Sequence, residues 1–441
     1  MKLKLRQYAN AVCGLGLLLC LTDAAFSQQS TTKPDKNPAS RPPTPTPVSL
    51  ADALPPGFEP IRRAGAEALY NLDYVTAETK FNELIQLDPT HPAGHFYLAT
   101  CRWLSILKSM RRLQIGLYTN DSFFAGSNDQ VEPELERGFR TIWAEAVKQV
   151  NARLRRQPDD LTGLYYLGAA YGLLTAYEAS VTRNFKAAIT NARQGVKWHE
   201  EVRKLAPTLA DAYLSLGLFQ YFVGKLHGMK REPLKLLGIS GNRQRGIEWV
   251  RQAMEHGQYV NDDARTVMIA IYRREGRYGD ALKLVDELLQ KYPRNYLFRL
   301  ERASVLSLLD HPCESYAAFE QVLKDESAQV ITDQIHYQYG QALLDHGEFA
   351  YAALQFLAVT KIPNADEALV TLSHLGHAQA LDAAGRRAQA QAKYQTVLKQ
   401  QDVFDARKDA SKYLERPYTA EKLGPGKCGL PPLSFLLRVF L

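Results

Sequence analysis

Cysteine is scarce, and what there is forms no framework. The 441 residues hold five. Cys13 and Cys20 fall in a leader described below, which leaves Cys101, Cys313 and Cys428. An odd, widely spaced set with no CxxC excludes a zinc ribbon or a dithiol redox motif. Export permits one bridge, but spacing does not choose the pair. No apolar run reaches the roughly 20 residues that a bilayer-spanning helix needs. Charge of one sign is lacking too: the formal net charge is +7, and a leader with Lys2, Lys4, Arg6 and Asp23 carries part of it. Spread over the remaining chain, that balance does not argue for a nucleic-acid partner. No glycine loop followed by Lys-Ser or Lys-Thr is present to cradle a phosphate.

Catalytic patterns fail on inspection. His199-Glu200-Glu201-Val202-Arg203 begins like a zinc-protease helix, but Arg203 stands where the second imidazole is required. Ser105-Ile106-Leu107-Lys108 matches a serine-lysine spacing without its companion motifs. His336, His346, His374 and His377 come nearest to a cluster, with His374 and His377 on one helix face, a pattern usual for a solvated or packed surface. Carboxylates are dispersed at helical surface spacing, with no pair set apart. The sequence therefore predicts no catalytic residue, no metal, no cofactor and no enzyme.

Four regions follow from composition. A basic start, the apolar run Ala11 to Leu21 and Ala25-Phe26-Ser27 read as a secretory signal over 1–27, cleaved between Ser27 and Gln28. The chain is thus expected to be periplasmic or extracellular. Residues 28–60 carry nine prolines, Pro34 through Pro60, and read as an extended, unpacked tether. Residues 61–415 form a helical array, and 416–441 a tail whose last stretch is apolar. Gly116 to Pro133 and Lys225 to Asn242 interrupt the array as long loops.

The array repeats. From Asp262 to Asn295, Tyr272, Gly276, Tyr278, Ala281 and Pro293 fall in the order aromatic, glycine, aromatic, alanine, proline. Glycine allows the tight turn between two helices, alanine lets them approach, and proline ends the second. Gly65, Ala68, Ala77, Phe81 and Pro89 make an earlier copy. Gly347 to Ala352 and Gly385 to Ala390 repeat the Gly276 to Ala281 spacing. These residues make the chain resemble the tetratricopeptide repeat superfamily over most of 61–415. Tyr165-Tyr166-Leu167-Gly168-Ala169-Ala170-Tyr171 and Leu236 to Arg243, running into Gly246-Ile247-Glu248-Trp249, are similar more narrowly to the group containing the fungal inclusion-body clearance protein. That group typically has Gly-Asp-Arg where this chain has Gly241-Asn242-Arg243. The resemblance implies an all-α, right-handed α-solenoid of roughly eight irregular helix pairs with a capping helix near Asp405 to Leu414.

It also implies a mechanism. First helices of such pairs line a concave groove that grips peptide or protein segments, which here puts Tyr165, Tyr221, Arg273, Arg274, Tyr337, Gln341 and His377 on that surface. Chaperone-binding relatives use Lys and Asn to clamp a terminal carboxylate. This chain has Thr266, Ala270, Tyr337 and Gln341 there, so no such clamp is expected. A separate concentration of charge, Lys225, Lys230, Arg231, Lys235, Arg243 and Arg245 among leucines, is either a solvated loop or a surface for anionic lipid or an acidic partner. The expected function is a non-catalytic, exported scaffold for a peptide or protein partner. The alternatives are a membrane-associated assembly factor, or an enzyme or enzyme accessory with a pocket built by the two loops.

Overall fold

A computed structural model describes residues 50, 54–115, 131–225, 240–420 and 428–430. Among the described residues every regular element is a helix; apart from two short 3₁₀ helices, Ala210–Ala212 and Glu326–Ile331, all are α-helices. They are α1 (Phe58–Tyr70), α2 (Tyr74–Leu87), α3 (Pro92–Ser109), α4 (Pro133–Arg156), α5 (Leu161–Ser180), α6 (Phe185–Leu205), α7 (Tyr213–Lys225), α8 (Arg243–His256), α9 (Asn261–Arg274), α10 (Tyr278–Lys291), α11 (Tyr296–Leu308), α12 (Pro312–Leu323), α13 (Thr332–Asp345), α14 (Phe349–Lys361), α15 (Glu367–Ala383), α16 (Arg387–Leu398) and α17 (Ala406–Glu415). Taken two by two they give eight pairs and a terminal cap, as the repeats predict. The contacts divide the chain into two compact units, Met1–Arg274 and Glu275–Leu441. In chain order, α9 ends the first unit and α10 opens the second.

Local sequence sets these boundaries. Asp73, Asp160, Asn184, Asn242 and Asp366 each accept a backbone N–H of the helix they precede, satisfying a donor that has no partner inside the helix. Pro92, Pro133 and Pro312 open α3, α4 and α12, where a missing N–H costs nothing.

The turn inside a pair has one recurring form. Asp73 N–H reaches back to Ala68 C=O at 2.9 Å, Arg112 to Leu107 at 2.7 Å, His311 to Leu306 at 3.0 Å, Glu348 to Leu343 at 2.9 Å and Arg386 to Leu381 at 2.8 Å. Closing the helix this way requires a left-handed residue just before the donor. Gly347 and Gly385 take it at φ 81° and 76°, but Leu72, Arg111 and Asp310 adopt φ 62°, 58° and 61° against their side chains. The glycine signal is therefore a preference of the turn and not a condition of it.

The proline-rich stretch ends earlier than its prolines suggest. Leu50 is buried in the first unit's core, Leu54 packs beside it, and Phe58 is buried at the start of α1. One apolar residue every fourth position anchors this approach. Pro60 lies within the first turn of α1, a position that needs no N–H. Leu50, Leu54 and Phe58 thus join the core of the array on the N-terminal side of residue 60.

The first unit is built from long helices around an aromatic interior. Almost all 20 residues of α5 are buried. Its Gly168 admits the ring of His199 from α6, since a Cβ there would stand 2.2 Å from the imidazole. The unit also closes on itself. Tyr70 of α1 donates its hydroxyl to Asp263 of α9. Arg62 of α1, 1% exposed, lies over the Tyr259 ring at 4.8 Å and pairs with Glu59 at 2.6 Å. Asp211 binds the N–H groups of Gln258 and Tyr259 at 3.1 and 2.6 Å. Cys101 is buried, and desolvation pushes its thiol up to about 12.

The second unit stacks as a solenoid, each helix against its neighbours in the chain. Phe356 of α14 is its wedge. Cβ atoms on Gly340 of α13 and Gly376 of α15 would stand 2.9 and 2.6 Å from its ring. The cap α17 buries Ala406 and Ala410 against Leu375, Tyr394 and Val397. A disulfide joins Cys313, at the start of α12, to Cys428.

Candidate binding surface

In the first unit the inner face of the pairs is a packed core. A cavity of about 10 Å³, room for about one water, remains between Phe96, Tyr165, His199, Asp211, Ser215 and Asp263. His199 Nδ1 bonds the Ser215 hydroxyl, and Nε2 lies 3.0 Å from Tyr165 C=O. A carbonyl only accepts, so Nε2 carries the proton and both ring nitrogens are engaged. Burial pushes the imidazole down to about 4, which keeps it neutral. Ser215 and His199 thus meet with a backbone carbonyl, and not a carboxylate, on the far ring nitrogen. They are a structural pair.

In the second unit the same face keeps polar side chains. Ser304 of α11 donates to Gln338 of α13 at 2.7 Å, tying two first helices together. Gln341 Nε2 donates to the Tyr337 hydroxyl at 3.1 Å. Gly340 and Gly376 set the register, and by it Tyr337, Gln338 and Gln341 correspond to Ser373, His374 and His377 on α15. The correspondence stops at the hydrogen bonds: Ser373 Oγ, His374 Nδ1 and His377 Nδ1 are buried and have no partner. Burial, with Lys393 secondary, lowers both imidazoles, His377 to about 4. Three neutral, unsatisfied polar groups therefore share one helical turn. Each costs stability until something meets it.

No protein-family model matches the chain. It is 25% identical over 244 residues to tetratricopeptide repeat protein 7B of Mus musculus, with 46% of this chain and 26% of that protein covered. The chain thus spans about a quarter of its curated relative's length. Repeat register, paired-helix geometry and this relative agree. The chain is similar to tetratricopeptide repeat proteins. Solved structures resembling it include a thermophilic tetratricopeptide protein of Thermus thermophilus (18% identity, TM-score 0.32, 57% of this chain and 99% of that one). A tetratricopeptide protein of Parabacteroides merdae has 15% identity, TM-score 0.32 and coverages of 72% and 98%. A human IFIT1 dimer with PPP-AAAA has 13% identity, TM-score 0.41 and 80% of both chains.

Tetratricopeptide register alone misplaces two groove candidates. Tyr165 stacks on His199 at 5.3 Å in the interior, and Tyr221 is fully buried beneath α8. Both are core residues, because the first unit's inner face has closed. Arg273 and Arg274 end α9, half-buried. Tyr337 and Gln341 are half-buried together on α13, and His377 lies one repeat on. Of the basic set, Lys225 lies 5.4 Å over the Tyr221 ring, while Arg243 and Arg245 are exposed at the start of α8. Lys230, Arg231 and Lys235 lie outside the described residues, as does the loop from Gly116 up to residue 130. Ser373 and His374 were missed as site residues. Only the offset between Gly340 and Gly376, applied to every polar position, would have found them. Gly241-Asn242-Arg243 also gains a structural role: a Cβ on Gly241 would stand 2.4 Å from Gly224 N, and Asn242 caps α8.

Proposed function

We propose that this tetratricopeptide chain is an exported, non-catalytic scaffold whose second unit receives a peptide or protein segment along Tyr337, Gln338 and Gln341 of α13 and Ser373, His374 and His377 of α15. The fold is that of a protein-interaction scaffold. The observation that carries the finer reading is the unsatisfied turn 373–377, set against its satisfied counterpart on α13. The groups are neutral and both donate and accept, which suits a peptide backbone better than a terminal carboxylate. Export is supported by the signal-like start and by the Cys313–Cys428 disulfide, a bond that persists in oxidising compartments.

Peptides selected on the full chain from a displayed random library test it. Tyr337→Ala and His377→Ala should each weaken a selected peptide roughly tenfold, about 1.4 kcal/mol, with the helical circular dichroism unchanged. Lys283→Ala, on the exposed side of α10, should leave affinity within about twofold, well under 1 kcal/mol. Equal losses at all three positions, or no enriched peptide, would reject the surface.

A further inference from the structure

We infer that the turn Ser373 to His377 of α15, together with Lys393 of α16, is a carboxylate site, and that the segment received there presents an aspartate or glutamate side chain to it. This rests on the reading of α13 and α15 as the receiving face and adds what the segment carries. Two observations meet at the turn. The first is unmet hydrogen bonding: Ser373 Oγ, His374 Nδ1 and His377 Nδ1 are shielded from solvent without a partner. Ser373 is fully buried and His377 is 9% exposed. The second is charge. Helix α16 packs along α15 and sets Lys393 beside both imidazoles, where its ammonium acts on each. Lys393 is half-buried and, among the described residues, makes no ion pair or hydrogen bond. No carboxylate is among the charges acting on either imidazole. A cation drawn out of water is stabilised by a counter-ion, and here the chain supplies none.

The preceding pair shows what has changed. Gln355 and Lys393 each follow their turn glycine, Gly347 or Gly385, by eight residues. Gln355 Oε1 lies 2.6 Å from His336 Nδ1, so in that pair a second-helix amide meets a first-helix imidazole. Lys393 replaces the amide with a charge, and the imidazoles of α15 go without. The ligand then follows by elimination. A lysine or arginine side chain would set a second cation against Lys393. A carboxamide matches the neutral groups but leaves Lys393 without a counter-ion. A carboxylate answers both needs: its oxygens accept from the Ser373 hydroxyl and from each imidazole in its Nδ1–H tautomer, and its charge meets the ammonium. Three donors and the ammonium fill the roughly four acceptor positions a carboxylate offers. Ser373, His374 and His377 alone are neutral and suit a passing backbone. Lys393 turns this end of the face toward an acidic side chain.

Acetate and acetamide, which mimic the side-chain ends of aspartate and asparagine, test the site on the full chain. Followed by imidazole NMR, acetate should shift the His374 and His377 signals at roughly tenfold lower concentration than acetamide. Lys393→Met should erase that difference with the helical circular dichroism unchanged. Equal titration by the two probes, or an acetate preference that survives Lys393→Met, overturns the carboxylate assignment. In a selected peptide, changing the acidic residue to its amide should weaken binding about tenfold to the wild-type chain and less than about twofold to Lys393→Met. Equal losses in both proteins overturn the assignment and leave the receiving face standing. If no peptide is enriched while acetate is still preferred, the face fails and the carboxylate site stands.

Discussion

In the first unit a hydrogen bond joins Tyr70 to Asp263, separated by 193 residues, and Arg62 reaches the ring of Tyr259. In the second unit helices touch mainly their neighbours in the chain, and the long-range tie is covalent. The same repeat grammar has thus built a closed body and an open stack. What separates them is the inner face. Where first helices carry Phe96, Tyr97, Tyr165 and Tyr166, those rings bury one another. Where they carry Ser304, Gln338 and Gln341, the face keeps half-buried polar side chains. A repeat register fixes which positions point inward, and the chemistry at those positions decides whether the inside is a core or a surface.

The contrast can be broken. Phe356→Ala should cost about 3–5 kcal/mol and, in an open stack, raise amide exchange most in α13 to α15, fading toward the ends of the second unit. Uniform loss across that unit would mean it is as cooperative as the first. Arg62→Ala should cost about 2–3 kcal/mol through the lost pair and ring contact. In a closed body the exchange of 259–264 should rise together with that of α1. If only α1 loosens, the closure carries no energy.

Acid should separate the units as well. Burial holds His91 and His199 near 4 in the first unit and His377 near 4 in the second, against an ordinary 6.5. The unfolded chain therefore takes protons first. Stability should fall as pH drops through 6.5 and stop falling through these groups below about 4, more steeply in the first unit. Melting curves read by exchange at pH 7 and pH 5, about one unit to either side of the free imidazole value, check the order. The smallest effect lies in the turns. Gly347→Ala should destabilise by about 1 kcal/mol, while Leu72→Gly should gain about 0.5 kcal/mol, because only the second relieves a left-handed side chain. Equal signs would remove the shared turn.

Pairs and turns were legible because they rest on local chemistry, as with Gly347 and Gly385 at left-handed angles. The closure was not, since nothing near Tyr70 announces Asp263. For the same reason Tyr165 and Tyr221 read as groove residues and proved to be core. The disulfide was legible only as one of several pairings. Leu50 was hidden by the prolines around it, although its spacing to Leu54 and Phe58 was there to be counted.

Burial of Cys101 has a consequence for how the chain is made. With the leader removed on export, as proposed, three cysteines would remain, and an oxidising compartment would offer them three pairings, two of which include Cys101. The N-terminal unit leaves the ribosome first, and domains fold as they emerge. Once it folds, Cys101 lies behind α2 with its thiol pushed up to about 12. By the time Cys428 arrives, Cys313 has a single accessible partner. Vectorial synthesis then selects the native bridge without an isomerase having to correct it.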